Sequence, residues 1–389
     1  MSFVPYSTQD IDEADIAAVA EALRGAYLTQ GPAIGRFEEA FAHRHDVPHA
    51  LAVSNATAGL HIACLALGLG PGGLLWTCPN SFVASANCAR YCGADVDFVD
   101  LDPRTRNISV AALEEKLAAA AAAGRLPDVV VPIDFSGLPA DLREIRALAD
   151  RYGFKILEDA SHATGATYLD RPVGSAFADV TVFSFHAVKI VTTAEGGMVT
   201  TRDPQLASRL GLLRSHGITR DPALFEGAPD GPWDYQQTDL GFNYRITDLQ
   251  AALGLSQLAR VEAMQARREA LADRYDARLA GLPLRLPARL PDRRSSWHLY
   301  VVEIDDERTD VGRADVFATL RAAQIGANVH YIPIHTQPYY RRLGFEPGDF
   351  PAAERYYRNA ITLPLYPKLS EADQDRVVAT LAAALERRA

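Results

Sequence analysis

Between Val182 and Met198 a single lysine, Lys189, separates an apolar run from a polar turn. Val182-Phe183-Ser184-Phe185 precedes it, and Thr192-Thr193 and Gly196-Gly197 follow. An ammonium held against apolar residues loses hydration and gives up its proton more readily, which makes the amine a nucleophile toward aldehydes. The hydroxyls and bare glycine backbone around it suit a phosphate. An aldehyde that carries a phosphate is pyridoxal 5′-phosphate (PLP), a cofactor whose ring is an electron sink. The plainer alternative is a strand-end lysine that snorkels to solvent beside an ordinary Gly-Gly turn.

Three further segments carry groups that such a cofactor requires. Ser54-Asn55-Ala56-Thr57-Ala58-Gly59 joins an apolar run to a helical pattern. Its amides and the Thr57 hydroxyl face the carboxyl edge of a parallel sheet, where helix N-termini bind phosphate. A plain Asn/Thr helix cap would look the same. Phe154-Lys155-Ile156-Leu157-Glu158-Asp159 ends an apolar strand in two acids, and Asp159 can pair with a protonated pyridine nitrogen or cap a helix. Phe82, in Pro79-Asn80-Ser81-Phe82, offers a ring to stack on the pyridine or to fill a core. An aspartate followed about thirty residues later by lysine within Ser184-x-x-x-x-Lys189 is more specific than any of its parts.

Elements that hold these groups are legible as an alternation. Apolar runs at 51–54, 74–78, 96–99, 129–133, 155–158, 179–185 and 197–201 read as strands, and helical patterns cover 56–67, 82–91, 110–123 and 142–152. Strands alternating with helices predict an α/β fold with a mainly parallel sheet between helices. Asp10…Glu13 reads as the cap of an N-terminal helix, followed by a turn at Gln30-Gly31-Pro32. A single long helix is expected over Thr247–Leu279. After Pro283, Pro287 and Pro291 the texture changes. Strands at Tyr300–Ile304 and Asn328–Ile332, with helices at Arg313–Ala323 and Glu371–Arg387, predict a smaller α+β unit. The division falls near Leu282: residues 1–282 form the large domain with its connecting helix, and 283–389 the small C-terminal domain.

The chain has 389 residues, 48% hydrophobic and 23% charged, with a net charge of −10 and no basic run. Nucleic-acid binding therefore has no electrostatic footprint. No apolar run approaches the roughly 18 residues of a membrane helix, and the acidic stretch Asp10 to Glu21 precedes the first basic residue, Arg24, unlike a charged leader. The expectation is a cytoplasmic protein that binds neither nucleic acid nor membrane. Cys64, Cys78, Cys88 and Cys92 form no CxxC pair and lack a histidine pair, so they read as buried free thiols with no metal site.

The chain resembles fold-type-I PLP enzymes of the DegT/DnrJ/EryC1/StrS sugar aminotransferase family. Pro5-Tyr6, Leu28-Thr29-Gln30-Gly31-Pro32, Phe183-Ser184-Phe185-His186, Leu240-Gly241-Phe242-Asn243-Tyr244-Arg245 and His330-Tyr331 carry the resemblance. Within the family it is most similar to the pseudaminic-acid branch, the UDP-4-keto-6-deoxy-N-acetyl-L-altrosamine 4-aminotransferases. Ser81–Asn87, Ser161-His162-Ala163, Thr192-Thr193-Ala194-Glu195 and Ser296-Trp297-His298-Leu299-Tyr300 suggest that branch. Much of the wider family has Gln at His162 and Gly at Ala194, and this branch commonly has Pro at Ile190. The resemblance implies that Lys189 carries PLP covalently, Asp159 pairs with the pyridine nitrogen, His162 lies near the phenolic oxygen and Phe82 stacks on the ring. Ala56, Thr57 and Ser184 would hold the phosphate with Asn243 of the partner subunit, making an obligate homodimer with shared sites. Tyr6, the segment Ala26-Tyr27-Leu28-Thr29, and Val329-His330-Tyr331 correspond to nucleotide-sugar contacts, and Arg245 is a candidate for the donor carboxylate. His330 and His335 have a purely structural alternative, a partly buried polar pair. The implied reaction moves an amino group from L-glutamate to C4 of a UDP-linked keto sugar. Alternatives are a sibling transaminase for another nucleotide-linked keto sugar, a sugar dehydratase of the same fold, and a non-catalytic PLP-binding regulator. Lys189 argues against the dehydratase, which has histidine there, and the regulator would be expected to add a DNA-binding module or to lose Asp159 or Lys189.

Overall fold

Val129-Val130-Val131 and Val180-Thr181-Val182-Phe183-Ser184 are buried along their whole length, as strands covered by helices on both faces must be. The computed structural model describes residues 2–386. In chain order its first part runs α1 (Glu13–Arg24), α2 (Pro32–Arg44), β1 (His49–Val53), α3 (Ala56–Ala66), β2 (Leu74–Thr77), α4 (Ala84–Tyr91), β3 (Asp95–Phe98), α5 (Val110–Ala123), β4 (Val129–Val131), α6 (Leu142–Tyr152) and β5 (Lys155–Asp159). Then follow β6 (Val180–Ser184), β7 (Gly197–Thr201), α7 (Pro204–Arg214), α8 (Asp248–Leu258) and α9 (Val261–Leu279).

These strands form one seven-stranded sheet in the order β1-β7-β6-β5-β4-β2-β3. Only β7 opposes its neighbours, β1 and β6; the other pairings are parallel. The fold is α/β with a mainly parallel sheet. The carboxyl ends of β1, β2, β4, β5 and β6 therefore open on one edge, where such sheets bind ligands. One apolar cluster joins Leu60, Trp76, Val130, Ile156 and Val182, and another joins Phe37, Phe41, Phe183, Phe185 and Met198.

A further cluster is built on a three-stranded antiparallel sheet of β8 (Leu284–Arg285), β9 (Tyr300–Ile304) and β10 (Ala360–Leu363). Helix α9 adds Leu271, Tyr275 and Leu279 to it and Val261 and Met264 to the cluster of Phe37 and Phe183, so this helix serves two of the three clusters. Fully buried Arg268 on α9 donates to the carbonyls of Trp297, His298 and Leu365, which ties the segment before β9 to the helix.

Four local expectations differ. The cap of α1 is Asp12, paired with Asp15 in a capping box, rather than Asp10. Pro32–Arg44, read only as following a turn, is a full helix with proline at its first position. The long helix over 247–279 is broken at Ala259–Arg260 without a proline or glycine. There Arg260 turns toward Asp15, Asp12 and Asp10, at 2.5, 3.1 and 3.6 Å. The segment 328–332 makes only one bridge, Asn328 with Thr362, because the Val329 amide binds the Asn328 side chain and the Tyr331 amide binds Asn80. The last helix is described over Glu371–Glu386; Arg387 lies outside the described residues.

Candidate active site

Asp159 ends β5 with its carboxylate buried at the sheet edge. The Ser85 hydroxyl donates to its Oδ2 at 2.6 Å and the Ser161 amide to its Oδ1 at 3.1 Å. Ser81 shares a hydrogen bond of 2.8 Å with Ser85, which ties α4 to the same corner.

Lys189 stands in a loop closed by backbone bonds from Phe185 to Gly196 and from Thr193 to Phe185, each 2.9 Å. Ala194 has φ 65°, a left-handed conformation that favours glycine. The Thr192 hydroxyl accepts the Ala194 amide and holds that turn. Lys189 is partly open to the cleft, yet enough protein surrounds its ammonium that burial pushes it down to about 8; the charge of Asp159 opposes that shift.

Helix α3 starts at the same edge. Asn55 caps it by accepting the Ala58 amide at 2.8 Å, and the earlier amides of Ala56 and Thr57 belong to the turn whose donors have no intrahelical acceptor. Gly197 presses against this turn: a Cβ there would lie 2.9 Å from the Ala56 nitrogen. Only glycine permits that approach.

Histidines form the opposite wall. His162 Nδ1 accepts the Ser136 amide at 3.2 Å, so its proton sits on Nε2, 3.2 Å from the Tyr331 hydroxyl. Burial first, then the charge of Lys189, holds His162 and His298 well below the usual histidine range. His330 is pushed down to about 3 for the same reasons, and its Nδ1 lies 2.7 Å from the Thr362 hydroxyl. A cation at Lys189 thus faces neutral imidazoles. Burial raises the Tyr331 and Tyr6 hydroxyls, so both stay protonated donors.

Tyr6, Ala56, Thr57, Phe82, Asp159, His162, Ser184, Lys189, His330 and Tyr331 line one cleft of about 670 Å³. Phe82 stands half exposed at its side. The remaining candidates do not line this cleft within one chain. Ala26 and Tyr27 line a separate groove of about 540 Å³ beside α1, α2 and α8. Leu28 and Thr29 are held there by Asp248 and Thr247. Asn243 is exposed and pairs with Ser215, while Arg245 pairs with Val53. Val329 belongs to the irregular segment before Tyr331. His335 is fully buried on Glu354, at 2.9 Å, and serves the core. Sequence reasoning missed the roles of Ser85 and Ser136, whose bonds cross long stretches of chain. His298 also lines the cleft, and its Nδ1 is buried without a partner among the described residues; its segment was noticed only for its resemblance.

Residues 9–382 match the DegT/DnrJ/EryC1/StrS aminotransferase family. The chain belongs to this family. It is 40% identical over 379 residues to the spore coat polysaccharide biosynthesis protein SpsC of Bacillus subtilis (strain 168), covering 97% of this chain and 95% of that protein. It is similar in structure to Helicobacter pylori PseC, an aminotransferase involved in the biosynthesis of pseudoaminic acid, with TM-score 0.90, 30% identity, and 99% and 100% of the two chains covered. The PLP form of the putative sugar aminotransferase Spr1654 from Streptococcus pneumoniae matches with TM-score 0.88 and 29% identity over 99% of each chain. As a DegT/DnrJ/EryC1/StrS member the protein is a PLP-dependent sugar aminotransferase.

The cleft's donor set fits that cofactor. It combines an amine of lowered proton affinity, a carboxylate fixed by two donors, and helix amides beside a cradle that a Cβ at residue 197 would close. Among the described residues, no His/Cys/Asp/Glu cluster could hold a metal, and no helix is long and apolar enough to cross a membrane.

Proposed function

We propose that this aminotransferase moves the amino group of L-glutamate to C4 of a UDP-linked 4-keto-6-deoxy-N-acetyl-hexosamine of the pseudaminic acid route. The product is then UDP-4-amino-4,6-dideoxy-N-acetyl-β-L-altrosamine. The observation that carries this reading is the whole-length likeness to PseC, joined to a cleft that sets Lys189 and Asp159 together. PLP, when bound, supplies an aldehyde to capture the amine and a ring to disperse the electron pair left at carbon.

The chain's own residues do the rest. Lys189 Nζ, with its proton affinity lowered, takes the proton from the donor α-carbon and returns one to sugar C4 in the second half of the cycle. Asp159 would keep a proton on the pyridine nitrogen. Phe82 would stack on the ring, and His162 Nε2–H would donate to the phenolic oxygen. Ala56, Thr57 and Ser184 would hold the phosphate together with Asn243 of the partner subunit. Tyr6, His330 and Tyr331 meet the nucleotide sugar from their own chain. Ala26, Tyr27, Leu28, Thr29 and Val329 complete that contact, and Arg245 takes the donor carboxylate. Those residues that do not line the cleft of their own chain support an active homodimer with shared sites. Four free, buried thiols suit the reducing cytoplasm, where we place the reaction.

A second reading, a different nucleotide-linked keto sugar, is favoured by the higher identity to SpsC, 40%. One experiment decides between them. Purified protein is incubated with PLP, glutamate and a panel of nucleotide-linked keto sugars, and the amino sugars are identified by mass spectrometry and NMR. A preference for the UDP-linked 4-keto-6-deoxy sugar of altro configuration is expected; turnover of other sugars alone would replace the proposal with the second reading.

A further inference from the structure

Two buried carboxyl groups behind Asp159 have no part in this chemistry. Asp134 follows β4 and Glu158 precedes Asp159 in β5; they are 0% and 1% exposed. Asp134 Oδ1 accepts the Ala140 amide at 2.9 Å, and Glu158 Oε2 accepts the Thr181 hydroxyl at 2.7 Å. Each carboxyl keeps one oxygen, Asp134 Oδ2 and Glu158 Oε1, buried with no donor among the described residues. The two side chains are nevertheless close enough that each shifts the proton affinity of the other.

Two carboxylates cannot both stay ionised there. The groups that face the pair are Asp159 on β5, Thr181 on β6, and the amides of Gly174 and Ala140. None is a cation. Burial and then the Glu158 charge hold Asp134 well above the usual carboxylate range, and burial raises Glu158 to about 7. One proton held between the two carboxyl groups would give their orphan oxygens a partner.

The position of this bond gives it a consequence. The Asp134 amide donates to the Asp159 carbonyl at 3.1 Å, so the two backbones are joined. Asp134 also opens the turn Phe135–Gly137, whose Ser136 amide fixes His162. We propose that Asp134 and Glu158 share one proton, and that their hydrogen bond makes them positioning residues for Asp159 and His162 in the amino transfer. The positioning role rests on the function proposed above; the shared proton does not.

Infrared difference spectra in H₂O and D₂O at about pH 6 test the proton directly, on wild type and Asp134→Asn. Wild type should show a protonated-carboxyl stretch that Asp134→Asn removes; absence of that band overturns the sharing. The pair binds its shared proton more tightly folded than an unfolded carboxyl does. Stability from this pair is therefore present at low pH and is lost as pH rises from the ordinary carboxylate range through about 7. Asp134→Asn, whose amide donates without a titrating proton, should flatten that slope and keep kcat within about threefold, while Asp134→Ala should lower kcat about tenfold or more with little change in KM. Wild-type kcat and pH profile in Asp134→Ala would overturn the positioning role. If Asp134→Ala fails to fold, the role stands or falls on the pH profile: wild-type kcat should fall as the shared proton is lost above about 7 and Asp134→Asn, which keeps a donor, should lack that fall, whereas a wild-type profile in Asp134→Asn overturns the role. Failure of every sugar substrate would sink the proposed function while leaving the infrared result to judge the shared proton.

Discussion

Ser85, in the first turn of α4, donates its hydroxyl to Asp159 Oδ2 at 2.6 Å, so a helix and a strand remote in sequence aim one carboxylate. A hydrogen bond to an ionised group contributes about 1.5–3 kcal/mol. Ser85→Ala is therefore expected to lower kcat about tenfold while the protein remains folded by circular dichroism. Asp159→Asn should cost several powers of ten, because the amide cannot keep a proton on the pyridine nitrogen. A Ser85→Ala enzyme at full rate would show that Asp159 needs no such brace.

Lys189 carries a stability cost as well as a reactive amine. Its ammonium is pushed from the usual 10.5 down to about 8. Between those values the unfolded chain binds more protons, so the stability of cofactor-free protein should rise with pH across that window, with the full cost present below about 8. Lys189→Met should stabilise cofactor-free protein at about pH 7 by on the order of 2 kcal/mol after allowance for its partial exposure, seen as a raised melting temperature. The same variant should retain no borohydride-reducible PLP. Lower stability for Lys189→Met would mean that the ammonium is better solvated than its surroundings indicate.

For His162 the decisive feature is that it accepts at Nδ1 and donates at Nε2. An amide can do both, so His162→Gln should retain a sizeable fraction of kcat, whereas His162→Leu should lose about a hundredfold. Because burial keeps His162, His298 and His330 below their ordinary range, protons bind the unfolded chain first. Stability should then fall as pH drops below about 6.5, and replacing His298 with Asn should reduce that slope in thermal melts. Equal activity in His162→Leu and His162→Gln would remove the ring from the mechanism.

Local pattern was enough to expect Lys189, Asp159 and Thr57 at one cleft, because each lies where an apolar strand gives way to a turn or helix. The α/β class followed from the same alternation. Contacts made by folding were not readable. Trp297, at φ 52°, turns the chain so that His298 enters the cleft, and nothing in Ser295–Leu299 announces that turn. Asn328–Ile332 has strand-like residues, yet Asn80 takes the Tyr331 amide that a neighbouring strand would have used. Helical propensity runs unbroken through Arg260, and three distant aspartates override it.

Asn243 provides the test of a site built from two chains. It is exposed and does not line its own cleft, while the adjoining Tyr244 carbonyl accepts the Ser54 amide at 2.7 Å just before the α3 turn. That bond fixes the segment at the sheet edge and leaves the Asn243 side chain facing outward, as needed to reach a second subunit's phosphate. Lys189→Ala and Asn243→Trp should each be inactive alone. In a mixed dimer both lesions fall in one site and the other site is wild type. Random pairing makes half the dimers mixed with one working site of two, so co-refolding should restore about a quarter of normal activity. Mixed dimers verified by tagged pull-down that remain inactive would assign Asn243 to its own chain.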